Sequence, residues 1–174
     1  MGLAIVSQTW YIKKYIVPNM TQQAGRVESM IKIMDAARYL IYLSYHQRKC
    51  SLTPLKLQKL LYLAQGWSYV WDDEPLFKGG FAAWQYGPVN EEIYSHFKVY
   101  GRNEIPESEG SSDLFDTIDA TARETLEAVW DRYCRCSAFE LVEITHEQEP
   151  WRIAYEERRD ITNSEIQRYF QSTY

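Results

Sequence analysis

The sequence predicts a mainly α-helical fold, a single compact multi-helix domain with a short β element around residues 81–86. Its length of 174 residues suits one domain with one hydrophobic core. From residue 35 onward, apolar residues recur at helical spacing between recognisable helix-capping residues. Only Phe81–Tyr86, which lies between the pairs Gly79-Gly80 and Gly87-Pro88, has the aromatic content and turn boundaries of a strand.

The first two predicted helices precede this strand. The first begins at Asp35, interpreted as its N-cap, and runs to about Arg48. The second begins at Thr53 as N-cap with a proline at the first helical position, and runs to about Trp71. It is apolar nearly all round, which predicts burial by several neighbours at the centre of the fold. Gly66 within it predicts the close approach of another backbone.

The strand and the third helix follow. Because Trp84 and Tyr86 alternate with Gln85, both side chains are expected on one face of the strand. Pro88 at the end of the strand predicts a position at the edge of its sheet. Asn90 is then expected to cap a third helix over Glu91–Val99, before a glycine that ends it.

The C-terminal half predicts a loop and four further helices. Residues 102–116 are rich in Ser, Glu and Asp and are interpreted as an exposed loop. Ser137 with Glu140, and Thr162 with Glu165, match the capping-box pattern. The expected helices are Ala120–Arg135, Ala138–Thr145, Glu149–Glu157 and Asn163–Gln171.

Charge and composition limit the kinds of partner and compartment. The net charge is −5, and because residues 1–34 carry +3, the remaining residues carry −8. Such an acidic body argues against nucleic acid as the main ligand. Three cysteines without framework spacing indicate reduced thiols, and no apolar run approaches the ~20 residues of a membrane span. We therefore expect a cytoplasmic protein that does not contact membranes.

The sequence contains no recognisable catalytic, cofactor or metal motif. His146 and the glutamate after it lack the second histidine of a zinc-protease motif, and Cys134-Arg135-Cys136 is not a paired C-x-x-C site. We expect no enzymatic activity, no cofactor and no metal. Lys56 and Lys59 permit a nucleic-acid interpretation, but a solvated helix edge or an ion pair with one of the glutamates at 91 and 92 is the simpler one.

Four segments in this order resemble the Panacea domain, a family with SocA-like members found in prophages and toxin–antitoxin operons. They are Thr53–Trp67, Pro75–Phe77, Ala83–Val89 and Val99–Gly101. Leu141–Trp151, with its Thr-His and Pro-Trp pairs, resembles the family's C-terminal box, and Ile166–Phe170 resembles its closing helix. The resemblance spans roughly residues 34–171, so residues 1–33 are interpreted as an N-terminal extension and residues 34–174 as the domain.

The resemblance implies the antitoxin of a type II toxin–antitoxin system. Such a protein neutralises a partner toxin, encoded by an adjacent gene, through direct protein–protein binding. Two alternatives remain open at this stage. One is a prophage-encoded interaction protein or proteolytic adaptor, which would involve a host protein or protease. The other is a DNA-binding autoregulator that uses the basic residues 1–34.

We expect the partner to bind at the aromatic turn Trp84–Pro88 and the helix that follows it. Rigid aromatic side chains lose little entropy on binding and make good anchors. The competing interpretation is that these aromatics only pack in the core. The expected contact residues are Lys56, Gln65, Trp84, Gln85, Tyr86, Glu91 and Tyr94.

Overall fold

The computed structural model describes residues 30–174, so most of the extension assigned to residues 1–33 lies outside the described residues. Within residues 30–174 the chain forms eight α-helices and one three-stranded antiparallel sheet, which confirms the mainly α prediction. None of these helices combines the length and apolar character needed to cross a membrane. The elements are α1 Ile33–His46, α2 Pro54–Asp72, β1 Phe81–Trp84, β2 Gly87–Val89, α3 Glu91–Phe97, α4 Leu114–Thr117, α5 Ala120–Tyr133, α6 Ala138–His146, α7 Glu149–Glu156, β3 Asp160–Ile161 and α8 Asn163–Thr173, with 3₁₀ turns at Lys98–Tyr100 and Glu107–Glu109.

Helix α2 is the centre of the fold, as its sequence predicted. The Thr53 hydroxyl accepts the N–H of Lys56 and caps its first turn. Helices α1, α5, α6 and α8 and strand β2 all pack against it. Leu57, Leu60 and Leu61 are fully buried. At about 1.5–3 kcal/mol for each buried leucine, this helix contributes much of the hydrophobic stabilisation.

Gly66 is explained by a side chain and not by a backbone. The ring of Phe170, on α8, packs directly over the glycine, and a Cβ at position 66 would overlap that ring. The expected close approach is therefore real, but the prediction of a second backbone was wrong. The contact joins α2 to α8 through a fully buried phenylalanine.

The sheet has the order β2-β1-β3, and β1 and β2 form a tight hairpin. Trp84 pairs with Gly87, so Gln85 and Tyr86 form the turn and β1 ends two residues earlier than predicted. Strand β1 lies in the middle of the sheet because β3 pairs with its other side. The edge position predicted from Pro88 belongs instead to β2, the strand that contains the proline.

Two other boundaries differ from the sequence prediction. Helix α1 begins at Ile33, so Asp35 lies inside the first turn and does not cap it. The helix starts early because Ile33 is buried and the N–H of Ile31 bonds to the Leu76 carbonyl at 3.0 Å. At the other end of the third helix, α3 stops at Phe97 and a 3₁₀ turn continues to Tyr100.

Residues 102–116 are more ordered than an exposed loop. Ile105 is buried and its N–H bonds to the Leu52 carbonyl at 2.9 Å. Glu109 accepts the Tyr100 hydroxyl at 2.6 Å, and α4 forms near the end of the segment. The capping boxes at Ser137 and Thr162 are present as predicted.

Candidate protein-interaction surface

The turn of the hairpin and its neighbours carry exposed aromatic rings. Trp84 is 37% exposed and Tyr86 is 52% exposed, so neither belongs to the core, and Gln85 between them is exposed as well. We use the term hairpin face for five exposed aromatic residues from the hairpin, α3, α6 and α7. They are Trp84, Tyr86, Tyr94, Phe139 and Tyr155.

Edge-to-face contacts fix the rings of the hairpin face. The Trp84 ring meets Tyr94 of α3 with centroids 4.8 Å apart. The Tyr86 ring meets Phe139 of α6 with centroids 6.4 Å apart. Both geometries suit the ring quadrupoles. The aromatic turn is therefore braced on two sides by different helices.

Trp151, on α7, supports the hairpin through a contact with the backbone of β1. Its Nε1 donates to the Trp84 carbonyl at 3.0 Å. Its ring stacks between His146, at 3.8 Å, and Tyr155, at 4.8 Å. Burial lowers the pKa of His146, whose Nε2 is buried without a hydrogen-bond partner. Trp151 of the Pro-Trp pair thus holds the hairpin, and His146, at the end of α6, packs on its ring.

Helix α2 holds the hairpin from the other side through two buried polar residues. The Lys59 Nζ donates to the Pro88 carbonyl at 2.7 Å. The Gln58 amide accepts the Asn90 N–H at 2.8 Å and donates to the Asn90 carbonyl at 3.0 Å. Burial lowers the pKa of Lys59 to about 7. These contacts fix the backbone at Pro88 and Asn90, which follow the turn.

Two residues predicted to touch a partner are buried. Lys56 is 5% exposed, and its Nζ donates to the Cys134 carbonyl at 2.6 Å. Gln65 is 0% exposed, and its amide accepts the N–H groups of Leu76 and Phe77 at 3.1 and 3.2 Å. Both side chains satisfy backbone groups inside the fold, so we leave them out of the candidate surface.

The same burial corrects the interpretation of the lysine pair on α2. Lys56 and Lys59 were expected at a solvated edge or in ion pairs with Glu91 or Glu92. Both donate instead to buried carbonyls. Neither amine is placed to contact nucleic acid.

The remaining predicted residues lie together. Trp84 and Glu91 line one groove, and Trp84 contacts Tyr94. Sequence reasoning missed Phe139 and Tyr155. The spacing of Trp151 and Tyr155, four residues apart on one helix, indicates that their rings meet and could have identified Tyr155. Phe139 sits in a first turn beside a capping box, and its sequence context alone does not distinguish a surface anchor from a core residue.

The described residues include no group of three or more His, Cys, Asp or Glu side chains close enough to hold a metal ion. Cys134 is buried, Cys50 and Cys136 are half-buried, and all three are free thiols. Burial raises the pKa of Cys134 and Cys136.

Comparison with known proteins agrees with the predicted resemblance. A family model described as antitoxin SocA-like, Panacea domain, matches residues 57–152, which is just over half of the chain. The match includes most of the hairpin face but not Tyr155 or the closing helix.

Antitoxin SocA of Caulobacter vibrioides (strain NA1000 / CB15N) is 33% identical over 109 residues. The aligned region covers 58% of this chain and 58% of that relative, so the chain spans less than two thirds of its length. No solved structure matches the chain significantly. The chain belongs to the SocA-like Panacea-domain family of antitoxins.

Proposed function

We propose that this protein is the antitoxin of a type II toxin–antitoxin system and neutralises its toxin by direct contact through the hairpin face. The observation that carries the proposal is the concentration of exposed aromatic residues. Among residues 30–174, eight large hydrophobic side chains are exposed, and five of them form the hairpin face. Exposed aromatic residues concentrated around one turn are typical of protein-interaction sites.

The construction of the hairpin face also favours a binding role. Its rings are held by edge-to-face contacts and by the hydrogen bond from Trp151 to the Trp84 carbonyl. Anchors that are already ordered lose little entropy when a partner binds. A stable complex buries about 800 Å² on each partner, and an aromatic centre with a polar rim is typical of such interfaces.

The polar rim favours a basic toxin. Glu91 and Glu92 are exposed at the start of α3, beside Trp84 and Tyr94. The chain outside its first 34 residues carries a charge of −8. Opposite charges on two partners accelerate their encounter and suppress wrong pairings. We propose that the toxin is encoded by the adjacent gene and that the antitoxin itself catalyses no reaction.

The test is a pair of double variants co-expressed with the protein encoded by the adjacent gene. Tyr86→Ala/Phe139→Ala removes two anchors of the hairpin face. Phe115→Ala/Tyr174→Ala is the matched control, because it removes one exposed phenylalanine and one exposed tyrosine elsewhere on the surface. We expect the first variant to stay folded by circular dichroism, to bind the toxin at least tenfold more weakly and to lose protection of growth. The control should behave like the wild type.

Two outcomes decide the proposal. If the folded Tyr86/Phe139 variant protects cells at wild-type expression, the hairpin face is not the contact surface. Toxin abundance in protected cells then separates two modes of neutralisation. An undiminished amount of toxin is expected for neutralisation by contact, whereas rapid loss of toxin would indicate delivery to a protease and contradict occlusion as the mechanism.

A further inference from the structure

An open groove of about 590 Å³ lies beside the hairpin face. Its floor includes Ala82 and Ala83 of β1, and the aromatic side chains of Trp84 and Tyr155 line it. Phe81 and Ala83 face the core, so Ala82 lies on the same face as Trp84, and its small side chain leaves room beside the larger rings. The remaining lining residues are charged, namely Glu91, Glu156, Arg158, Arg159 and Asp160.

The groove is suited to a side chain and not to an added strand. Strand β1 pairs with β2 on one side and with β3 on the other, so Ala82 lies opposite both Val89 and Asp160. Only Ala83 and Trp84 of β1 lack a partner on the β3 side, and the Trp84 carbonyl already accepts the Trp151 Nε1, so this edge is too short for a partner strand. What the groove offers a ligand is aromatic surface and carboxylate groups.

The charge in the groove is more negative than its composition suggests. Arg159 is already used, because its guanidinium bonds to Glu165 at 2.6 and 2.9 Å and to Glu157 at 2.6 Å. Within the described part of the chain, the carboxylates of Glu91, Glu156 and Asp160 are exposed and form no hydrogen bond or ion pair that could neutralise them. Only Arg158 offsets these three charges.

We infer that this groove binds an arginine side chain presented by the partner protein, an inference that rests on the proposed function. A guanidinium is flat and cationic, so it stacks on Trp and Tyr faces and is weakly hydrated. It also donates several N–H groups in a fixed fork that matches carboxylates. Trp84 and Tyr155 supply the faces, and Glu91 and Glu156 supply the acceptors. A lysine lacks both the plane and the fork.

The aromatic side chains of the groove are ordered before any ligand arrives. Tyr94 packs edge-to-face on Trp84, and Trp151 stacks on Tyr155. Trp151 also bonds to the Trp84 carbonyl, so one residue positions both sides of the groove. Such a preformed site reduces the entropic cost of binding a flexible arginine.

The test uses N-acetyl-argininamide as the probe, titrated into the full-length protein and followed by two-dimensional amide and indole NMR. N-acetyl-citrullinamide is the matched neutral ligand, since it has nearly the same shape without the charge. We expect saturable shifts confined to residues 82–84, 91 and 155–160. The citrulline ligand should bind about tenfold more weakly, because hydrogen bonds between charged groups are stronger than those with a neutral donor. Glu91→Gln/Glu156→Gln should weaken binding of the arginine ligand by a similar factor. Asp116→Asn, an exposed control on α4 outside the groove, should leave it unchanged.

The outcomes separate this inference from the proposed function. Equal binding of the two ligands, or shifts spread over the surface, would overturn the inference. If neutralising Lys13, Lys14 and Arg26 by glutamine strengthens probe binding, the occupant of the groove is the chain's own N-terminal segment, and the inference is again overturned. In either case the loss of protection by Tyr86→Ala/Phe139→Ala would still support the proposed function. Conversely, arginine binding together with full protection by that variant would overturn only the proposed function.

Discussion

Lys59 is a fully buried basic residue directly behind the candidate surface. Its Nζ donates to the Pro88 carbonyl at 2.7 Å, and no carboxylate of the described residues forms an ion pair with it. His146 is the titratable side chain that interacts with it electrostatically, and burial lowers the pKa of both groups. A neutral amine can still donate the hydrogen bond to Pro88, so burial and positioning of the hairpin are compatible.

The first prediction concerns stability against pH. The pKa of Lys59 is about 7 in the folded protein and 10.5 when unperturbed. Between these values the unfolded chain binds more protons, so the contribution of Lys59 becomes more favourable as pH rises. From pH 7 to 8.5, the free energy of unfolding of the wild type should rise by about 1.5 kcal/mol relative to Lys59→Met. Urea unfolding at several pH values measures this difference.

The comparison with Lys59→Met isolates the lysine, because the titration of other groups contributes to both proteins. The pKa of His146 is lowered from 6.5, so the imidazole titrates below the window. The thiols of Cys134 and Cys136 have raised pKa values in the folded state, and unperturbed thiols begin to ionise near its upper end. Parallel curves for wild type and Lys59→Met would show that Lys59 is charged in the folded protein.

At the scale of elements, helix boundaries were predictable where the determinant is local. Thr53, Asn90, Ser137 and Thr162 cap helices as predicted, because each cap bonds to a backbone N–H within three residues. The start of α1 was not predictable, since it depends on contacts between Ile31 and the distant segment at Leu76–Phe77. Helix propensity carries no information about such contacts.

The polar residues of α2 show the same limit. Gln58 and Gln65 are polar side chains on a central helix that is apolar nearly all round, and Gln65 was predicted to contact a partner. Both are buried, because each amide satisfies backbone groups of a chain segment that follows the helix. A sequence shows that a residue is polar, but the partner that makes its burial tolerable is set by the tertiary structure.

The second prediction concerns the contact between α2 and α8. Alanine favours a helix over glycine by about 1 kcal/mol, which alone would make Gly66→Ala stabilising. The added methyl group would overlap the buried Phe170 ring, and overpacking of a core costs about 1–3 kcal/mol. Because the overlap is severe and the ring is fully buried, we take the upper end of that cost and expect a net destabilisation of about 2 kcal/mol, measured by chemical denaturation.

A double-mutant cycle identifies the cause of that loss. Phe170→Leu replaces the ring by a smaller side chain and should lower stability by itself. If the ring is the obstacle, the combined variant with Gly66→Ala will be less destabilised than the two single losses predict together, by 1 kcal/mol or so. Strict additivity would show that the methyl group is accommodated elsewhere.

At the scale of the whole molecule, the hairpin face is assembled from residues far apart in the sequence. Trp84 and Tyr86 belong to the hairpin, Tyr94 to α3, Phe139 to α6 and Tyr155 to α7. The sequence identified the aromatic turn and its following helix. It did not identify Phe139 or Tyr155, because their exposure follows from how α6 and α7 pack beside the sheet. A surface of this kind is a property of the tertiary arrangement.

The last prediction concerns the N-terminal boundary of the domain, which the sequence places between residues 33 and 34. Ile33 is 4% exposed, and the Ile31 N–H bonds to the Leu76 carbonyl. A chain that starts at Met34 loses both contacts, whereas a chain that starts at Met30 retains them. Burial of one isoleucine and one hydrogen bond together contribute about 3 kcal/mol, which corresponds to about 10 °C in Tm for a domain of this size.

We expect the chain from Met30 to melt within about 3 °C of the full-length protein and the chain from Met34 to melt about 10 °C lower. Calorimetry on the three chains tests this, and equal melting of the two shorter chains would place the boundary at residue 34.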